Sequence, residues 1–241
     1  MSEPNTFPEA NVLPAFIPAI GNALAGVLSA TQALLNGAEA DPVFRRDLLG
    51  AMEANLQYLR FVYENWVVSG SAGLGDLNPV PREIEPSRWL SGFLAPWRRR
   101  IQDRELIWEA RVKSNHPPIR FDQDLVGLAL ENLLALSLAA APAGSQVLVS
   151  SGFAQVGGSL WIEISDQGPG LTDESIKKAL FALPEEAQSA SMRLGDGRYL
   201  GLRVASAVAR AHAGRLERVD RSGYSCSLRL TIHDLDSSRR T

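Results

Sequence analysis

Apolar positions in residues 11–36 recur at helical spacing. Leu13, Ile17, Ile20, Leu24, Val27, Thr31 and Leu34 follow in alternating steps of four and three. Asn22, Ala25, Ser29 and Gln32 repeat on another face. The stretch has no charged side chain and at first suggests a membrane span. A lipid-facing helix, however, has no reason to keep a polar stripe, whereas a bundle helix does. Pro14 and Pro18 predict that regular helix starts near Pro18, which leaves the run short for a span. A secretory signal needs a basic leading region, and only Glu3 and Glu9 precede the stretch. A second amphipathic stretch covers 41–68, with Phe44, Leu48, Met52, Leu56, Leu59, Tyr63 and Trp66 at helical spacing. Asp41 followed by Pro42 is a helix start, and Gly37 is a stop for the first helix. The short connection predicts an antiparallel hairpin.

Such a hairpin exposes too much apolar surface to stand alone. Pairing with a second copy into a four-helix bundle covers it, with Leu13, Ile17, Ile20, Leu24, Val27 and Leu34 as the expected dimer interface. The alternative is packing of the hairpin on its own C-terminal domain. Residues 70–86 shift to Gly, Pro, Ser and Asp and read as a linker. Beyond it the pattern predicts a helix at 87–102, a strand at 106–112, a long helix at 122–140, and strands near 146–153 and 159–165. A helix at 199–213 and strands around 215–220 and 224–232 complete the expected order. The fold class is α+β. The expected organisation is a helical hairpin over 1–69, a linker over 70–86, an α/β domain over 87–236 and a tail over 237–241.

Composition narrows the partners. The chain has 241 residues, is 45% hydrophobic and 21% charged, and carries a net charge of −3. Nothing in that charge recruits nucleic acid. The short run Arg98-Arg99-Arg100 reads as a solvated face. One cysteine, Cys226, excludes an intrachain disulfide and CxxC metal clusters, and suits a reducing cytoplasm. Three histidines, His116, His212 and His233, make a zinc site a poor fit.

Three short segments carry candidate chemistry. Asp166-Gln167-Gly168-Pro169-Gly170 follows a predicted strand. A carboxylate at a strand end can accept a hydrogen bond from an exocyclic amine, and the glycines let backbone pass close to a base. Alone, the segment also reads as an aspartate-capped Gly-Pro turn. Gly195-Asp196-Gly197-Arg198-Tyr199-Leu200-Gly201-Leu202 runs into a helix that ends in His212-Ala213-Gly214. Its glycines would let backbone amides approach phosphates, or it is a plain Gly-rich loop. Leu130-Glu131-Asn132-Leu133-Leu134-Ala135-Leu136-Ser137-Leu138-Ala139 lies in the long helix, and alone reads as core.

In this order the three segments resemble the nucleotide-binding boxes of the superfamily that joins histidine kinases, type II topoisomerases and heat-shock chaperone ATPases. They are similar to its DxGxG box, its GxGLGL box with the following HGG, and its LxNLLxNAxK box. The resemblance implies an ATP-binding α/β sandwich of the histidine kinase type, with Asn132, Asp166, Gly168, Gly170, Gly195, Gly197 and Gly201 as nucleotide-binding positions. Asn132 is its candidate Mg²⁺ ligand. His212 falls on the HGG histidine and is expected to be structural. Three departures stand out. Tyr199 falls where the family has its second glycine, Leu136 on the second, metal-holding asparagine, and Ala139 on the lysine. Leucine cannot coordinate Mg²⁺. Glu131 is a poor substitute, because it points about 100° away around the helix. ATP with Mg²⁺ is therefore the implied cofactor pair, expected to bind weakly or not at all.

The resemblance also implies a phosphoacceptor histidine near the start of the hairpin's first helix. Here the sequence reads Ala19-Ile20-Gly21-Asn22-Ala23-Leu24, and no histidine precedes His116. None of those side chains offers a nucleophilic nitrogen that can form a phosphoramidate. This excludes autophosphorylation on a hairpin histidine, and relay through one as in kinase-like histidine phosphotransferases. The expectation is a cytoplasmic, catalytically impaired relative in two-component signalling, with no nucleic acid or membrane as partner. It would act as a dimeric regulatory or adaptor protein for a response regulator receiver domain or another kinase. The competing expectation is an active kinase or ATPase of the same superfamily, such as a serine kinase resembling those that regulate sigma factors. A purely structural dimer is a third.

Overall fold

Two antiparallel helices, α1 (Leu13–Leu35) and α2 (Pro42–Leu74), form the hairpin in a computed structural model that describes residues 13–37, 41–74, 77–114, 116–154, 158–171, 176 and 198–235. Gly37, at φ +99°, closes α1, and the Asp41 carboxylate caps α2 by accepting from the amides of Val43 (2.8 Å) and Phe44 (3.3 Å). Helix α1 begins before the start expected at Pro18. That proline lies one turn inside it, where it removes only one early backbone bond. Helix α2 likewise outruns its expected end at 68. Val68 packs into the core of the C-terminal domain, and that contact carries the helix through Gly70, whose weak propensity would otherwise favour a stop.

Small residues make the seam between the two helices. Ala23 and Ala30 are buried, and a Cβ on Gly26 would meet the Asn55 amide at 2.8 Å. Val27, Thr31 and Leu34 are half-buried beside them. The larger apolar residues point away. Ile17, Ile20, Leu24, Leu28 and Leu35 on α1 are exposed, as are Leu49, Leu56, Tyr63 and Trp66 on α2. Two helices, Ile17–Leu35 and Gln123–Ala140, are long and apolar enough to cross a membrane by length and composition, and the second lies in the domain core.

The C-terminal part adds β1 (Arg82–Ile84), α3 (Pro86–Gln102), β2 (Ile107–Arg111), β3 (Ile119–Phe121), α4 (Gln123–Ala140), β4 (Gln146–Ala154), β5 (Ser159–Asp166), α5 (Arg198–Ala211), β6 (Arg215–Arg218) and β7 (Cys226–His233). Five strands pair in the order β2-β4-β5-β7-β6, with β2 parallel to β4 and the other pairs antiparallel. Strand alternation sends Val149, Ile162, Ile164, Leu228 and Leu230 to one face, where they join Leu130, Leu133, Leu134, Val204 and Val208 of α4 and α5 in the core. Strands β1 and β3 form a separate antiparallel pair that the sequence pattern does not announce, because three residues are too few to show alternation. Pro96 sits inside α3 without ending it.

The opposite face of the sheet holds a polar cluster. Glu163, 1% exposed at mid-β5, accepts from Arg221 (2.5 Å) and from Arg229 (2.7 Å), which also stacks over Trp161. Ser165 and Ser227 are hydrogen-bonded to each other beside it (2.8 Å).

Candidate functional site

Asp122 starts α4. Its Oδ1 accepts from the amides of Asp124 and Leu125 (3.0 Å each), and its Oδ2 accepts from the amide of Val80 (2.8 Å). The same residue's backbone N–H donates to His212 Nε2 (3.1 Å), while His212 Nδ1–H donates to the Val208 carbonyl (2.8 Å). This pattern sets the tautomer of a fully buried, neutral imidazole and ties the end of α5 to the start of α4. Gly214 completes the turn. A Cβ there would lie 1.8 Å from the Thr231 carbonyl oxygen, so only glycine lets this chain pass β7. His212 therefore has a structural post. His116 is buried, with Nε2 3.3 Å from Ser151 Oγ and its ring beside Phe153.

Asp166 ends β5 opposite Val147 and Cys226, 3% exposed. Ser137 of α4 donates its hydroxyl to Asp166 Oδ2 (2.7 Å), and the Gly168 amide donates to Oδ1 (2.9 Å). Burial pushes the carboxyl above its ordinary range, and the two donors work against that shift. Each carboxylate oxygen retains further lone-pair capacity, so the group can still accept from an amine. Gly168 and Gly170 are required by packing. A Cβ on Gly168 would stand 2.8 Å from the Ala140 carbonyl oxygen. Gly170 has φ +78°, and a Cβ on it would stand 2.9 Å from the Ser225 carbonyl oxygen. Neighbouring Cys226 is buried, and its thiol is pushed up to about 11 by that burial and by the nearby Asp166 charge.

Five residues before Ser137, about 7.5 Å along the helix, stands Asn132. It is buried, and its Nδ2 donates to Asn65 Oδ1 of α2 (2.7 Å) and to the Leu128 carbonyl (2.9 Å). Gly201 of α5 lies against its other side, where a Cβ would meet Asn132 Oδ1 at 2.8 Å. Leu136 is buried in the core. Glu131 faces away, toward Arg60, Glu64 and Arg100, and burial raises its pKa. Among the described residues no group of three or more His, Cys, Asp or Glu side chains is placed to hold a metal ion. Gly195 and Gly197 lie outside the described residues. Tyr199 falls in the first turn of α5.

The base end of this arrangement fits an adenine, since a buried carboxylate stands at a strand end just before two glycines. The metal end does not fit Mg²⁺. One of the two expected amides is a core leucine, and the other has its Nδ2 bonded to Asn65 of α2 and its Oδ1 set against Gly201.

Residues 121–235 match the family described as histidine kinase-, DNA gyrase B-, and HSP90-like ATPase. This segment is a histidine-kinase-like ATPase domain. Over 116 residues it is 27% identical to the adaptive-response sensory kinase SasA of Microcystis aeruginosa, a match covering 48% of this chain and 29% of that kinase. The fold is similar to that of the Acinetobacter baumannii histidine kinase AdeS, with a TM-score of 0.56 and 18% identity over 89% of this chain and 96% of that one. It is also similar to full-length ShkA, a structure solved in complex with AMPPNP, with a TM-score of 0.60 and 17% identity over 78% of this chain and 38% of that one. The second match takes in helices as well as the ATPase domain by its coverage, and both establish the fold.

The structure brings Asp166, Gly168 and Gly170 together at one end of α4, and Asn132 and Gly201 together at its middle. Sequence reasoning missed Ser137 and Asn65. Ser137 carried a signal, since Asn132 and Ser137 are the only uncharged polar side chains between Leu125 and Ala140. Asn65 carried none, because its partner lies 67 residues away.

Proposed function

We propose that this chain is a catalytically impaired, histidine-kinase-like protein of two-component signalling, acting as a dimeric regulator or adaptor for a receiver domain or another kinase in the cytoplasm. The observation that carries this reading is the hairpin. Helices α1 and α2 stand where relatives offer a phosphoacceptor, yet they contain no histidine, and the exposed positions Gly21 and Asn22 have no nucleophilic nitrogen. Leu136 supports it from the other side. Without an oxygen ligand there, the domain lacks part of the metal-borne charge stabilisation on which phosphoryl transfer depends, typically several kcal/mol. Binding of ATP is then weak or absent. The exposed stripe of Ile17, Leu24, Leu28, Leu49, Leu56 and Tyr63 supports a second copy of the hairpin as the partner that completes a four-helix bundle.

The test is incubation of the purified chain with γ-labelled ATP and Mg²⁺, alongside its mass by light scattering. The expected outcome is a dimer that takes up no phosphate and hydrolyses no ATP. Hydrolysis that disappears in Asp166→Ala would instead establish an active enzyme of the same superfamily. A monomeric mass at about 50 µM, well above a Kd on the order of 1 µM, would remove the bundle.

A further inference from the structure

We infer that Asn132 has exchanged a metal ligand's role for a joint between the hairpin and the ATPase domain, so that any adenine nucleotide this chain takes is bound without Mg²⁺. The inference rests, for its ligand, on the reading that the base pocket around Asp166 is retained. For its joint it rests on contacts alone.

The Asn65–Asn132 bond runs between two side chains that are 3% and 6% exposed. A buried amide is held in place by its partners, because leaving its donors unpaired is costly. Both Nδ2 hydrogens of Asn132 are committed, one to Asn65 Oδ1 at 2.7 Å and one to the Leu128 carbonyl at 2.9 Å. This orientation is set by acceptors on both sides. It turns Oδ1, the only atom of the side chain able to hold a cation, toward the backbone of Gly201. The missing Cβ at Gly201 leaves room for that oxygen, so the same glycine serves the joint. Around the pair, α2 lies against α4 and α5, with Val68 in the core and Gln57 accepting from Arg100 of α3 (3.3 Å). The Ser137–Asp166 bond lies about 7.5 Å further along the helix. Base recognition and hairpin docking use different ends of one helix. Hairpin docking fixes the Asn132 amide through Nδ2, and with it the direction in which Oδ1 points.

Calorimetric titration of the full chain with ADP and ATP, in Mg²⁺ and in EDTA, tests the ligand. Hydrogen exchange over residues 57–69 tests the joint. We expect nucleotide affinity to change less than twofold between Mg²⁺ and EDTA. Asn132→Ala and Asn65→Ala should each raise exchange at 57–69 at least tenfold, the double variant should add little, and Asn65→Ala should keep nucleotide affinity within threefold. Asn65→Ala, on the hairpin side of the bond, keeps the test open if Asn132→Ala fails to fold. Mg²⁺ tightening of ATP by more than fivefold, lost in Asn132→Ala, would overturn the inference by showing a working metal ligand. Unchanged exchange in both single variants would overturn the joint. If neither nucleotide binds in any condition, the base-pocket reading fails and the metal-free ligand fails with it, while the exchange result still decides the joint.

Discussion

Replacing Glu163 by glutamine removes one negative charge from the centre of the outer sheet face and leaves shape almost unchanged. The carboxylate is 1% exposed and takes three charge-assisted contacts, from Arg221 Nε at 2.5 Å and from Arg229 through Nη2 at 2.7 Å and Nε at 3.1 Å. Burial alone would push its pKa up, but the two guanidinium groups outweigh that and hold it below the ordinary glutamate value. Charge-assisted hydrogen bonds are worth about 1.5–3 kcal/mol each, and stripping one partner from a buried pair costs about 3–5 kcal/mol. Two factors reduce the sum here. The amide oxygen still accepts one neutral bond, and the arginine side chains, 26% and 33% exposed, recover water. The expected loss is therefore about 2–3 kcal/mol, read by urea denaturation followed by the chain's tryptophan fluorescence, to which Trp161, 4.8 Å from Arg229, contributes. The pH dependence has a fixed sign. A depressed folded pKa gives stability that is complete above the unfolded value near ~4.5 and is lost as pH falls through the folded value. The difference between wild type and Glu163→Gln should be constant from neutral pH down to about 5 and shrink in stronger acid. A difference under about 1 kcal/mol, or one that vanishes already at pH 6 (roughly 1.5 units above the unfolded value), would show that water carries these arginines and that the network is not structural.

The turn after α5 gives two opposite outcomes. Ala213 is held at φ +54°, where an L-residue is strained, so Ala213→Gly should stabilise by about 0.5–1 kcal/mol in the same urea assay. Gly214→Ala places a Cβ 1.8 Å from the Thr231 carbonyl and should cost about 3 kcal/mol or more, or prevent folding; a neutral result would mean that this turn is not closed as described. Burial lowers the pKa of both His212 and His116, so the stability they contribute is present above about pH 6.5 and lost as pH falls through their folded values. The buried carboxyls of Asp166 and Glu131 are shifted up and act with the opposite sign. The clean readout is consequently the comparison of wild type with His116→Gln: the variant should lose less stability between pH 7.5 and 5.5, and identical slopes would mean that His116 titrates as a solvated imidazole.

Local periodicity determined most of the elements. The alternation at 159–165 and the helical run at 122–140 correspond to β5 and α4 within a residue or so, because each pattern is written in neighbours that share one face. The nucleotide boxes were legible for a related reason, since glycines and a strand-end aspartate mark close backbone approaches that few other residues permit. Even there, the sequence could not say what approaches. Gly168 clears the Ala140 carbonyl and Gly201 clears the Asn132 amide, which are packing demands of this chain itself. The choice of partner was left to tertiary structure. The sequence shows an asparagine at 132 and a leucine at 136. The commitment of that asparagine to Asn65 arises only when α2 folds back across α4. The same holds for the Ser137 hydroxyl on Asp166 and for the two arginines on Glu163, 58 and 66 residues away. A short-range pattern records which face a residue is on. A buried polar group takes its role from the one donor or acceptor that the whole fold brings within hydrogen-bonding distance, and that neighbour is not written nearby in the chain.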